Sequence, residues 1–194
     1  MSELAILDTT IVLRDRIAGA VGGPVHVGAP IRTEIGSARV SLFLFHCDVN
    51  AALRNRQRIE QPPPLEPATT RARPVHSLAM DLRFLVTVFR DPDPTVATPN
   101  ELTRLGQIIQ ALHAAPTLSG PGMSGQVVRV SPEPYPMEEL SRVFGLLGQD
   151  IYRTSIVYLA TPVHIESGLS VGGRPVTERR QRSAHLVERQ EAAS

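Results

Sequence analysis

The sequence lacks residues on which many functional sites depend: it has no lysine, no tryptophan and a single cysteine. Without lysine, a Walker-type phosphate loop cannot form. With Cys47 alone, one chain can build neither a disulfide nor a cysteine-based zinc site. Six histidines are present, but no two have the i, i+4 spacing of a helical metal site. We therefore expect no metal and no cofactor, and the chain is predicted not to be an enzyme.

Long apolar runs and a charge excess are also missing. No stretch approaches the roughly 18 apolar residues of a membrane-spanning helix. Residues 1–10 have neither the basic region nor the long apolar region of a secretory signal. A cytoplasmic location without membrane contact is therefore expected. The formal net charge of +1 gives no overall case for a nucleic-acid-binding protein.

The chain does contain enough apolar sequence for one folded domain. Hydrophobic residues make up 42% of its 194 residues, so wholesale disorder is not expected. The apolar pattern fades after Glu166. We predict one domain over residues 1–166 and a C-terminal arm over residues 167–194, extended or disordered.

Apolar periodicity predicts about three helices and a sheet. Residues 4–20 and 136–148 are predicted to be helical. A further helix is predicted to open at Thr98, with Pro99 in its first turn and Glu101 completing a capping box. Its predicted buried stripe is Leu102, Leu105, Ile108, Ile109 and Leu112. Strands are predicted at residues 25–27, 38–47, 77–89, 127–130 and 151–165. Because two long strands follow each other without a helix between them, the predicted fold class is α+β with a mixed, mainly antiparallel sheet.

The most directional segment is Ser41–Arg56, SLFLFHCDVNAALRNR, in which an apolar strand runs into a polar turn and an Arg-Asn-Arg cluster. Asp48 and Asn50 lack the remaining ligands of an EF-hand loop, so they are interpreted as turn and capping residues. Cys47 ends the apolar run and is predicted to be buried and inert.

Residues 57–74 have a different composition, with five prolines, three arginines and almost nothing apolar. This composition predicts a long surface loop. The stretch from Ala51 to Pro74 holds five arginines against two glutamates. It is either a solvated loop or a patch for an acidic partner, because guanidinium groups bind carboxylates in a bidentate manner. Nucleic acid is poorly supported, since the stretch has no aromatic residue to stack on bases.

A candidate nucleophile motif fails on spacing. The glycine-rich segment at residues 119–125 contains Gly122-Met123-Ser124-Gly125, which does not match a nucleophile elbow and precedes a predicted strand. A structural turn is predicted here. The alternatives of another class are a small hydrolase using Ser124 or Cys47, for which no base or orienting acid lies nearby, and a small nucleic-acid- or partner-binding module using the basic loop from Arg54 to Arg73.

Several segments between residues 4 and 166 follow a recognisable order. They are Val40–Phe45, Asn50 with Leu53–Asn55, Leu78–Val86, Leu105-Gly106 with Leu112–Pro116, and Glu138–Ser141 with Tyr152–Ser155 and Pro162-Val163. In this order and spacing they resemble the cap proteins, or tail terminators, of phage-tail-like extracellular contractile injection systems of the virulence-cassette and antifeeding-prophage type. Phe84 and Phe144 stand where that family commonly has tyrosine and tryptophan, and these aromatic exchanges do not threaten the fold. Residues 167–194 lie outside the resemblance.

The resemblance implies a tail-terminator-like fold and a structural role. Such a protein would form a hexameric ring with copies of itself. It would bind the terminal inner-tube ring and the terminal sheath layer, and end tail growth as part of an assembled particle. The C-terminal arm would either add a strand to a sheath subunit or stay free. The residues expected at assembly contacts are Asn50, Arg54, Asn55, Arg56, Arg58, Arg71, Arg73, Arg179, Arg180 and Arg182.

Overall fold

The computed structural model describes residues 3–54, 77–93, 97–148 and 152–166, with Thr95 and the backbone of 58–60 and 73–75. Three α-helices lie in this part of the chain: α1 (Ala5–Val21), α2 (Ala97–Ala114) and α3 (Met137–Leu146). The strands are β1 (Val25–Val27), β2 (Val40–Val49), β3 (Arg58–Glu60), β4 (Arg73–Val75), β5 (Ser77–Val88), β6 (Thr117–Leu118), β7 (Val128–Glu133) and β8 (Ser155–Glu166).

Six of these strands form one mixed sheet in the order β1-β2-β5-β8-β7-β6. Only the β1–β2 pair is parallel, and the other four neighbouring pairs are antiparallel. The two longest strands, β5 and β8, lie side by side at the centre. The predicted α+β class with a mainly antiparallel sheet is therefore confirmed.

Helices α1 and α2 cover one face of the sheet. The main core lies between this face and the two helices. Alternate residues of β5 point into it because successive strand residues face opposite sides. Phe84 and Tyr158 are cross-strand partners at its centre and are almost fully buried. This burial raises the pKa of the Tyr158 hydroxyl above its ordinary value. The helices contribute Leu13, Ile17, Ile108 and Leu112.

The opposite face carries α3 and a smaller apolar cluster. Leu140 and Phe144 of α3 pack with Leu85 and Val157 of the central strands. Two edge-to-face aromatic pairs flank this cluster, Phe45 with Tyr135 and Phe144 with Tyr152, each with ring centroids 5.5 Å apart. The central strands are therefore buried on both faces over part of their length.

Glycine ends α1 where the sequence predicts. Gly22 adopts the left-handed conformation with φ 65°, and its N–H donates to the carbonyl of Ala18 at 3.0 Å. A left-handed residue after the last turn satisfies carbonyls that the helix leaves free. The predicted turn at residues 119–125 is also confirmed. It holds a short 3₁₀ turn at Pro121–Met123, followed by left-handed Ser124.

The predicted start and buried stripe of α2 are partly wrong. The helix begins at Ala97, and Glu101 accepts a hydrogen bond from Arg90 instead of closing a capping box with Thr98. Leu102 and Ile109 are exposed on its outer face, whereas Ile108 and Leu112 are buried. The periodicity describes a broad stripe, and packing on α1 and the sheet selects one half of it.

The segment at residues 57–74 is not a loop throughout. Its first part contains β3 and its last part enters β4, and the two strands pair antiparallel, with Arg58 opposite Val75 and Glu60 opposite Arg73. Residues 61–72 lie outside the described residues.

Two leucines of very different exposure test the position of the core. Leu82 is fully buried in β5, whereas Leu146 of α3 is 88% exposed. Leu82→Ala should lower the free energy of unfolding by about 2–5 kcal/mol, because it leaves a cavity between the sheet and the helices. The same change at Leu146 should stay within about 0.5 kcal/mol. Chemical denaturation of both variants measures the difference, and equal losses would contradict this core.

Candidate assembly surface

The predicted contact residues that the structure describes lie at one end of the sheet, where β2 ends. We call residues 50–54 the shoulder. Asn50 and Arg54 belong to it, and Arg58 and Arg73 lie in the β3–β4 ribbon, where only their backbone is described. Asn55, Arg56, Arg71, Arg179, Arg180 and Arg182 lie outside the described residues.

Asn50 fixes the shoulder to the three central strands. Its N–H donates to the carbonyl of Ala79 in β5 at 2.9 Å. Its Nδ2 donates to Asp81 Oδ1 in β5 at 2.9 Å and to Thr161 Oγ1 in β8 at 3.2 Å. Its Oδ1 accepts from the N–H of Leu53 at 3.0 Å. The predicted turn role of Asn50 is therefore confirmed, and the side chain also joins β2 to β5 and β8.

A local irregularity of β5 accompanies this joint. The β5–β8 register shifts between Met80 and Leu82, so Asp81 falls at an interruption of the strand pairing. Such bulges commonly re-aim a side chain. The Asp81 carboxylate accepts hydrogen bonds from both Asn50 and the hydroxyl of Thr161. We refer to Asn50, Asp81 and Thr161 together as the three-strand joint.

Arg54 follows the turn that Asn50 anchors, and it is the last residue described before residues 55–57. It is exposed, and the described residues provide no hydrogen-bond acceptor for its guanidinium. The backbone of the preceding residue, Leu53, is fixed by two hydrogen bonds from its N–H, one to Asn50 Oδ1 and one to the Asn50 carbonyl. The guanidinium of Arg54 is therefore exposed and unbonded within the described part of the chain, next to a backbone turn that hydrogen bonds hold in place.

A row of ion pairs crosses the sheet beside the shoulder. Asp48 Oδ2 lies 2.7 Å from His46 Nε2 and 2.5 Å from Arg83 Nη1. On its other side, Arg83 donates from Nε and Nη2 to Glu133 at 2.8 and 3.1 Å, reaching across β8 to β7. The hydrogen bonds from His46 and then Arg83 lower the pKa of Asp48, and Glu133 and then Asp48 raise the pKa of Arg83.

The sequence did not single out Arg83 or Glu133. The only available signal was the alternation of β5, which places Arg83 on the face away from the main core. Its partners Asp48 and Glu133 come from strands that become neighbours only through the sheet order. Arg83 is held in place because its Nε, Nη1 and Nη2 all donate to Glu133 or Asp48. Arg54, by contrast, has no such bonds to the described residues.

Cys47 is exposed, and the prediction that it is buried is wrong. Strand β2 continues to Val49, past the end of the covering core, and its last four residues are all exposed. Partial desolvation and then the neighbouring Asp48 charge raise the pKa of the Cys47 thiol. A raised pKa leaves little of the reactive thiolate at neutral pH, which disfavours a nucleophilic role.

The other groups considered for chemistry have structural contacts. Ser124 Oγ donates to Asp8 Oδ2 at 3.2 Å, which ties the 3₁₀ turn to α1. Within the described residues, no three His, Cys, Asp or Glu side chains lie close enough together to hold a metal ion. None of the described helices is long and apolar enough to cross a membrane.

Comparison with protein families shows which family the chain belongs to. Residues 8–179 match the model of the Pvc16 N-terminal domain family. The chain belongs to this family. The match runs past Glu166 into residues 167–179, the first part of the predicted C-terminal arm.

Two solved structures share the fold of this Pvc16-type domain. One is the sheath/tube terminator of the PVC extracellular contractile injection system in its extended state, with a TM-score of 0.58 and 17% identity over 94% of this chain. The other is the tube-terminating cap of the anti-feeding prophage, with a TM-score of 0.54 and 17% identity over 93% of this chain. The chain spans 65% and 61% of those two proteins. No curated protein matches it. The resemblance predicted from the sequence is confirmed.

Replacing Asn50 tests whether the three-strand joint holds the shoulder. Asn50→Ala removes the side-chain bonds to Asp81, Thr161 and the Leu53 N–H, and should lower the free energy of unfolding by roughly 2–3 kcal/mol. The Leu53 N–H keeps its 3.2 Å bond to the Asn50 carbonyl, so its hydrogen exchange should become only moderately faster. Gln110→Ala, at an exposed position of α2, is the control and should change neither quantity. An unchanged free energy of unfolding in Asn50→Ala, measured by chemical denaturation, would contradict the joint.

Proposed function

We propose that this protein is a structural cap, or tail terminator, which closes the distal end of the sheath and tube of a contractile injection system and ends their polymerisation. The observation that carries the proposal is membership of the Pvc16 N-terminal domain family, together with a fold shared with two terminators over nearly the whole chain. The role is non-enzymatic, in keeping with the raised pKa of Cys47 and the structural contact of Ser124.

A cap has to bind the last layer of a polymer without offering the surface that the polymer repeats. The outermost strands of the six-stranded sheet, β1 and β6, have three and two residues, and such short strands are poor templates for a further strand. They cover only Val40–Leu42 of β2 and Val128 and Arg129 of β7, so the rest of those two longer strands has no strand partner on its outer side in the described sheet. The short outer strands therefore limit edge pairing over the residues they cover.

The proposed partners are copies of the same chain and the last tube and sheath layers. In a hexameric ring each subunit would bury one patch against a different patch of its neighbour, and closure of the ring would limit growth. The shoulder with Arg54 is the proposed contact, because its guanidinium is exposed on a fixed base. The ring would act in the cytoplasm, in an assembled phage-tail-like particle. The basic-loop alternative depends on residues 55–57 and 61–72, which lie outside the described residues.

Loss of the protein should remove control of tail length. Particles purified from a strain that lacks it should have a broad length distribution or unstable sheath–tube ends, because nothing closes the growing polymer. Electron microscopy of negatively stained particles measures the lengths. Restoring the full chain should restore one length class, and a normal distribution without the protein would contradict the cap role.

Arg54 separates assembly from stability. Arg54→Ala should leave thermal unfolding unchanged, because the described residues give this side chain no hydrogen bond. It should weaken ring formation or tube binding by roughly tenfold, the effect of losing one charge-assisted contact. Arg142→Ala is the matched control, since the described residues give Arg142 a single local ion pair, with Glu139 in α3.

Sedimentation gives the ring population and differential scanning fluorimetry gives the unfolding temperature. Unchanged assembly in Arg54→Ala would show that Arg54 is a solvated surface residue, and would leave the cap role to the length measurement.

A further inference from the structure

A small polar cavity lies at the end of the sheet opposite the shoulder. It has a volume of about 250 Å³ and is formed where β5 ends, β8 begins and α2 starts. Its lining residues are Val88, Arg90, Glu101, Tyr152, Arg153 and Thr154. Because sites for drug-sized ligands usually have about 300–1,000 Å³, this volume suits one side chain or small anion better than a cofactor.

Arg153 is a cation with unused donor capacity. Its guanidinium carbon lies 4.9 Å from the ring centroid of Phe89, which places the flat group on an aromatic face. Its Nε is withdrawn from solvent and has no hydrogen-bond partner among the described residues. Desolvation and then the positive charge of Arg32 lower the pKa of Arg153, whereas Glu101 opposes them. Among the described residues, no carboxylate is hydrogen-bonded to this guanidinium, and the charge of Glu101 offsets the two opposing effects only in part.

Glu101 does not balance Arg153 fully, because it already binds another arginine. Arg90 Nε donates to Glu101 Oε2 at 3.1 Å, and Arg90 Nη2 donates to Thr98 Oγ1 at 3.2 Å. The Glu101 side chain is only 11% exposed and the Arg90 side chain is 65% exposed. Among the described residues, the lining of the cavity thus holds two guanidinium groups and one carboxylate, and that carboxylate is bound to Arg90.

The neighbouring arginines Arg39 and Arg104 share an internal carboxylate, although Arg104 Nη1 is itself buried without a hydrogen-bond partner among the described residues. Asp91 accepts hydrogen bonds from Asn100 at 2.7 Å, from Arg104 at 2.9 Å and from Arg39 at 3.3 Å. These contacts, that of Asn100 first, lower the pKa of Asp91. There the carboxylate is internal and two arginines share it. At Arg153 the corresponding carboxylate is absent from the described chain.

We propose that this cavity binds a carboxylate group presented by a neighbouring protein, with the two terminal Nη groups of Arg153 as the main donors, because its Nε is withdrawn from solvent, and with Arg90 at the rim. Guanidinium and carboxylate groups are both planar and pair through two parallel hydrogen bonds. A phosphate dianion suits the site less well, because the buried Glu101 carboxylate lines the same cavity and would repel two charges more strongly than one. The identity of the neighbour as a tube, sheath or cap subunit rests on the proposed function, but binding of the carboxylate does not.

Small probes test the site on the isolated full chain. N-acetylglutamate α-amide carries only a side-chain carboxylate, and its isomer N-acetylglutamine carries only a main-chain carboxylate. Each is titrated at constant ionic strength, with chloride and inorganic phosphate as references. Side-chain Nε–Hε resonances of arginine and the Tyr152 amide are followed by NMR. We expect saturable shifts of Arg153 and Tyr152 with a carboxylate probe, and the stronger of the two isomers identifies the source of the group.

Three variants are expected to change the affinity for the carboxylate probe in three different ways. Arg153→Gln should weaken carboxylate binding roughly tenfold or more, as expected for the loss of a charge-assisted pair. Glu101→Gln keeps the shape and an acceptor for Arg90 but removes the repelling charge, so it should tighten binding several-fold. Arg129→Gln removes an exposed arginine from β7 and should change nothing.

The gain in Glu101→Gln is decisive, because damage to the fold cannot produce tighter binding. Shifts no larger than those with chloride, or no gain in Glu101→Gln, would overturn the carboxylate site. Tighter binding of phosphate than of either carboxylate would overturn it in favour of a phosphoryl site. None of these results would bear on the particle-length test of the cap role.

Discussion

The position of β5 at the centre of the sheet is the constraint on which the rest of the structure depends. This strand pairs with β2 on one side and β8 on the other along most of its length. Its two faces are buried by different helices, with Phe84 toward α1 and α2 and Leu85 toward α3. A slip of one residue would exchange these two faces, so the register is strongly specified. Both polar ends of the sheet inherit their geometry from that register.

Those two ends use arginine in different ways. Near the shoulder, Arg83 is saturated by Asp48 and Glu133, and at the opposite end Asp91 is shared by Arg39 and Arg104. Such partly buried pairs contribute little net stability, because desolvation offsets their attraction. Their effect is to hold side chains in one arrangement. Arg54 and Arg153, for which the described residues provide no hydrogen-bonded carboxylate, are presented by this frame at opposite ends of the sheet.

Sequence patterns predicted the order of the elements well, because the signals are local. Glycines at 22 and 23 end α1, alternation marks β5, and the absence of a helix between β2 and β5 points to an antiparallel pair. Features that depend on contacts between distant segments were missed. Strand β2 extends beyond the residues that cover the core, so Cys47 is exposed. Which side of α2 is buried depends on its packing against α1. The cavity brings together Arg90 and Arg153, which are about sixty residues apart in sequence. No local pattern in the sequence indicates which arginine lacks a bound carboxylate.

The placement of free donors at the ends of the strands, rather than along the edges of the sheet, bears on how a polymer is stopped. An edge strand binds through backbone groups that every chain has, so it accepts further strands without much selectivity. An arginine on a fixed base binds only where a carboxylate meets it in the right geometry, and it leaves no equivalent surface for the next layer. Specific contacts of this kind end an assembly, whereas generic edge pairing extends it. A domain that presents exposed or cavity-lining arginines at the ends of its strands therefore has contacts of the kind that the proposed cap requires.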